Sequence, residues 1–185
     1  MEKARKARLE EWYEKEVRPE LQKALNFDNV MEVPRIKKVV INIGVTGSIA
    51  DSKLIQTAET ALKAVAGQTP VRTRSKKSIA GFKLREDLPI GVKVTLRKRN
   101  MYEFLDKLIN VALPKVRDFQ GVTPTFDRRG NYNLGIKEWI VFPELDQGFN
   151  EKTFGMNVTI HTSAGNDEHG YELLKRFNMP FRARK

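Results

Sequence analysis

The chain contains no cysteine, which excludes disulfides and thiolate metal sites outright. Histidine is nearly absent too, with only His161 and His169, and there are only two tryptophans, Trp12 and Trp139. No apolar run approaches the ~18 residues that a membrane-spanning helix requires. The opening stretch, MEKARKARLEEWYEKEVRPE, lacks the apolar centre of a secretory signal. A GxxxxGK[ST] phosphate loop is missing, and GNYNLG (Gly130–Gly135) does not fit GxGxxG. These absences lead us to expect a soluble cytoplasmic protein without metal or cofactor.

What the chain does have is positive charge in one place. Its net charge is +11 over 185 residues. Arg35–Arg99 alone carries 15 Lys and Arg against Asp51, Glu59, Glu86 and Asp87, so the segment holds the entire surplus and the flanks cancel. From Thr60 to Arg85 there is no acid. Crowded like charges repel and favour a polyanionic partner, and phosphate is the usual one. The competing explanation is a solvated surface that only maintains solubility, but such a surface has no need to concentrate its charge in one segment.

Secondary-structure signals are mixed along the chain, and they predict a single domain over 1–185 with a helical segment (1–30) packed on it. Leu9, Trp12, Val17, Leu21 and Leu25 form an apolar stripe interrupted near Pro19. Ile36–Val45 is β-branched and reads as a strand broken by Gly44 and Gly47. Asp51 is placed to cap a helix over Ser52–Ala66, with Leu54, Ile55, Ala58, Leu62 and Val65 on its apolar face and Gly67 at its end. Thr69–Thr73 reads as a short strand with Ile79–Leu84 as its return, and Val92–Arg99 as a further strand. Asn100 is placed to cap a helix over Met101–Ala112, answered by Glu103, and Pro114 bends or restarts it. Gly135–Phe142 and Met156–Thr162 complete the strands, and Asp167–Phe177 is a helix. This intermixing favours an α+β fold, an antiparallel sheet with helices on one face, the other face open, and a basic loop projecting from it.

Strand alternation separates the two faces. Val39, Ile41, Ile43 and Val45 share one side and Asn42 the other. Val92, Val94 and Leu96 point inward, whereas Lys93, Thr95 and Arg97 point outward. In one sheet, Asn42, Lys93, Thr95 and Arg97 would form a polar platform for sugar edges, bases and phosphates. An ordinary solvated face is the alternative, and Asn42 also suits a turn. The second constellation is GQTPVRTRSKKSIAGFKLR (Gly67–Arg85), where cations alternate with small residues around one aromatic, Phe82. That mixture suits structured RNA, and no DNA-recognition helix or paired zinc ligands accompany it.

Two other classes compete. A hydrolase or transferase acting on RNA would draw on His161, Asp167 and His169, whose spacing matches no zinc signature. A protein–protein adaptor would use the basic loop on an acidic partner. The pairs Glu86–Asp87 and Glu144/Asp146 fall in turns, where carboxylates are usually solvated, and Trp12 and Trp139 suit packing. Neither class explains why Asn42, Thr95 and the cations fall on one sheet face.

Several blocks resemble the bacterial large-subunit ribosomal protein L-five family, which binds 5S rRNA. They are Arg35–Val45, Gly67–Arg85, Pro89–Ile109, Leu113–Gly121, Phe126–Glu144 and Met179–Phe181, in that order. The resemblance implies a non-enzymatic constituent of the large subunit that helps attach 5S rRNA at the central protuberance. Its 5S rRNA positions here would be Asn42, Gln68 and Thr95, with Lys93 and Arg97 beside them. The basic loop would reach P-site tRNA through Arg72, Arg74, Lys76, Lys77 and Ser78. Neighbouring large-subunit rRNA and proteins, and a small-subunit head protein across an intersubunit bridge, complete the implied partners. The near-neutral stretch Arg117–Asn150 is the surface implied for the bridge. Departures from the family pattern are the GVTGSIA turn, Arg74-Ser75 before the lysine pair, Gln120, and the terminal RARK.

Overall fold

The β-branched run near residue 40 makes the central strand. β1 (Ile36–Gly44) buries Val39, Ile41 and Ile43 completely, as its alternation requires. A computed structural model describes residues 6–45, 52–145 and 153–182. The other strands are β2 (Val71–Arg74), β3 (Pro89–Leu96), β4 (Tyr132–Ile136) and β5 (Met156–Thr162). They form one antiparallel five-stranded sheet in the order β2-β3-β1-β5-β4, so the fold is α+β as expected. β1 ends at Gly44, as expected, whereas Gly47, Asp51 with its expected helix cap, Asp146 and the last three residues of the RARK tail lie outside the described residues.

Two compact units divide the chain: Val40–Leu96 with Gly135–Val158, and Met1–Val39 with Arg97–Leu134 and Thr159–Lys185. In the first, the helix Lys53–Ala66 packs on β3. Ile55, Ala58, Leu62 and Val65 repeat at helical spacing and are buried; Ala61 joins them, and Leu54 sits half-buried at the edge. Burying a side chain of Leu or Ile size contributes about 1.5–3 kcal/mol. Gly67 ends the helix in the left-handed region (φ 63°), its N–H bonded to Lys63 O at 3.0 Å.

Three expected elements of this unit differ. The partner of β2 is β3, with Val71 opposite Lys93 and Thr73 opposite Gly91. Ile79–Leu84 is no strand but a tight turn closed by an isolated Ile79–Leu84 bridge around a 3-10 turn at Ala80–Phe82. The 3-10 turn and the left-handed Lys83 (φ 52°) fold these six residues back on themselves, so they do not run extended as one strand. The expected strand over Gly135–Phe142 stops at Ile136, and Trp139–Val141 coils into a 3-10 turn that inserts Trp139 into the core, edge-on to Phe154 at 5.1 Å.

The second unit carries the N-terminal helical run. Arg8–Trp12 and Arg18–Ala24 are α-helical, and Tyr13–Val17 between them is π-helical. Leu9, Tyr13, Val17 and Leu21 are its buried face, so Tyr13 replaces Trp12 and Leu25 in the expected stripe. The next helix, Lys98–Lys107, also widens into a π-helical turn, Leu108–Ala112, before Leu113–Lys115. Pro19 and Pro114 each stand two residues after such a turn, at the second position of the α-helical segment that follows, where a missing N–H and a bulky ring are accommodated. The expected Asn100 cap is not formed: the helix starts at Lys98, no side chain caps it, and Glu103 accepts from Arg99 Nε at 2.6 Å. Asp167–Arg176 forms the last helix.

Candidate nucleic-acid interface

The outward face of β1 and β3 within the Val40 unit presents Asn42 half-buried, Lys93 exposed and Thr95 half-buried. Asn42 stands between Ile41 and Ile43, both fully buried, so the pleat forces it to the opposite side. Thr95 stands likewise between Val94 and Leu96. The left-handed turn at Gly67 redirects the chain so that Gln68 reaches this face, where its Nε2 donates to Thr95 O at 3.4 Å. Four of the five residues expected to meet 5S rRNA thus belong to one patch. Arg97, exposed and extended (φ −141°), follows β3 directly and precedes the helix Lys98–Lys107.

Two further groups share that face. Val71, 62% exposed, lies opposite Lys93, and Thr73 opposite Gly91. Alternation within Val71–Arg74 would have marked them, had β2 been paired with β3. Gly91 permits a close approach of backbones here: a Cβ on it would sit 2.6 Å from Ile43 O and 3.0 Å from Thr73 Oγ1.

The residues expected to meet tRNA separate into two groups. Arg72 is opposite Val92, on the helix side of the sheet, and pairs there with Glu59 (Nε–Oε2 2.8 Å, Nη2–Oε2 2.7 Å). Arg74, Lys76, Lys77 and Ser78 are exposed, beyond a register shift between Thr73 and Arg74. Ser78 Oγ accepts from Glu86 N at 3.0 Å. Ser75 is buried and clasps the base of the loop. Its N–H donates to Leu88 O (2.9 Å), its hydroxyl to Arg85 O (2.5 Å), and its carbonyl accepts from Asp87 N (3.1 Å). Sequence reading passes over Ser75 because nothing in its neighbours reveals a buried hydroxyl.

In the Met1 unit, His161 lies half-buried on the outward side of β5. Its pKa is held below the ordinary 6.5, first by burial and then by Lys38 and Arg97, against which Asp127 acts. Asn133 lies in β4, and its Oδ1 accepts from Thr159 Oγ1 of β5 at 2.7 Å. The alternative centre at His161, Asp167 and His169 is not assembled. Asp167 accepts from Gly130 N (3.0 Å) and Arg128 N (3.1 Å), fixing a turn, while His169 stands edge-on to Phe27 at 5.2 Å.

A sheet face with amides, a hydroxyl and cations on it, and a cation-rich hairpin beside it, suits a nucleic-acid-binding protein. Residues 29–85 match the family model described as "Ribosomal protein L5", and residues 89–181 match the model for the C-terminus of the same family. The chain is 54% identical over 177 residues to the large ribosomal subunit protein uL5 of Geotalea daltonii, covering 95% of this chain and 99% of that protein. It is 55% identical over 177 residues to the uL5 of Acidobacterium capsulatum, at 95% and 97% coverage. Against the uL5 of Syntrophotalea carbinolica it is 55% identical over 176 residues, at 95% and 96% coverage. The chain belongs to the ribosomal protein L5 family, whose members work in the ribosome in the cytoplasm.

Proposed function

We propose that this protein, as a structural constituent of the large ribosomal subunit, binds 5S rRNA through Asn42, Gln68, Lys93, Thr95 and Arg97 and helps attach it to the central protuberance. The observation that supports this reading most is the hydrogen bond from Gln68 to Thr95 O, which draws a residue 27 positions away onto the face that already carries Asn42 and Lys93. Asn and Gln amides donate and accept, which suits base edges and 2′-hydroxyls, while Lys93 and Arg97 suit phosphates. Arg74, Lys76, Lys77 and Ser78 on the loop meet tRNA in the peptidyl site. In this reading Arg72 contributes from the loop's base, held by Glu59. The near-neutral Arg117–Asn150 stretch contributes to the bridge with the small-subunit head.

The test is binding of purified 5S rRNA, against a length-matched tRNA, to Asn42→Ala, Gln68→Ala and Thr95→Ala. Each lost buried hydrogen bond should weaken 5S rRNA binding by about 1–3 kcal/mol. Affinities unchanged in all three variants would overturn the sheet-face reading.

A further inference from the structure

The loop between β2 and β3 ends in an apolar tip. Phe82 is 75% exposed and Ile79 44% exposed. Water-exposed phenylalanine is unfavourable, and a mobile loop would bury it against the nearest apolar surface. Here the backbone holds it out. Above the Ser75 clasp and the Ser78–Glu86 bond, Ile79 and Leu84 exchange N–H···O bonds of 2.9 and 3.1 Å. Phe82 N bonds to Ile79 O (3.3 Å) and Lys83 N to Ala80 O (3.0 Å), closing the 3-10 turn. Lys83 then takes a left-handed conformation (φ 52°), which turns the chain back at Phe82. The result is a hydrogen-bonded ladder that presents one aromatic ring at its end.

The same loop carries Arg74, Lys76, Lys77, Lys83 and Arg85, all exposed, and the nearest acids in sequence to Phe82 are Glu86 and Asp87 at the ladder's base. An apolar protein surface would leave five cations unpaired, and an acidic peptide would leave the ring without a partner. An unstacked nucleobase flanked by phosphates satisfies both, because any base offers a π-face and any backbone offers negative charge. We propose that Phe82 is a stacking platform for an unpaired base of the structured RNA that the loop meets. This deepens the tRNA reading above and rests on it.

The experiment uses large subunits reconstituted with variants of the full chain, with deacylated tRNA bound in the peptidyl site across a salt series. Lys76→Ala with Lys77→Ala tests the underlying reading: affinity falls and the salt slope shrinks. Phe82→Ala and Phe82→Leu test stacking: both lower affinity by roughly tenfold with the salt slope unchanged, and Phe82→Trp restores it. Phe82→Leu keeps apolar bulk without a π-face, so wild-type binding by that variant overturns stacking. If the lysine pair matters and Phe82→Ala does not, the inference fails and the tRNA reading stands. If neither matters, both fail.

Discussion

At the scale of single residues, two positions carry consequences beyond the binding patch. Gly91 faces the carbonyl of Ile43 so closely that a methyl group has no room, and the obstacle is backbone rather than a flexible side-chain end. Gly91→Ala should therefore destabilise the fold by about 1–3 kcal/mol, read as a lowered urea midpoint. An unchanged midpoint would mean that β1 and β3 separate without strain. His161 is the second. Because its folded pKa lies below 6.5, its neutral form contributes stability that is present above pH 6.5 and is lost as pH falls through the lower folded value. Proton NMR titration should find its midpoint below 6.5 in the free protein. Arg97→Ala should raise that midpoint by removing one neighbouring cation.

Among the elements, regular strands and the long helix were legible because their signals are local. The alternation in Ile36–Gly44 and the spacing of Ile55, Ala58, Leu62 and Val65 reflect a buried side that any partner would select. What was not legible depends on pairing with distant chain. Whether Arg72 faces the helix or the open side follows from its register with Val92, and sequence alone supplied Ile79–Leu84 as the wrong partner. The two π-helical turns escaped notice because an extra residue in a turn leaves the apolar spacing almost unchanged. Within the site, Asn42, Lys93 and Thr95 came from alternation, whereas no periodicity leads to Gln68; its place depends on how the helix ends. Gly67 sets that ending at φ 63°. Gly67→Ala should cost about 1–2 kcal/mol in chemical denaturation and weaken 5S rRNA binding along with Gln68→Ala. Full 5S rRNA affinity in Gly67→Ala would separate the turn from the interface.

For the whole molecule, charge is the first-order term, since a surplus of +11 is confined to one segment of the chain. If binding neutralises roughly 5–8 phosphates, affinity for 5S rRNA should fall about a thousandfold between ~50 and ~200 mM salt. Lys93→Ala should reduce the slope by about one, while Asn42→Ala lowers affinity at every salt concentration alike. A slope unaltered by Lys93→Ala would remove that lysine from the phosphate contacts. The sheet order also bears on how the chain is made. β1 is an early, strongly apolar strand whose two neighbours, β3 and β5, begin at Pro89 and Met156. At ribosomal elongation rates of about 5–20 residues per second, its second edge stays unpaired for on the order of 10 s. During synthesis this ribosomal protein therefore exposes its own central strand to chaperones and to other nascent chains.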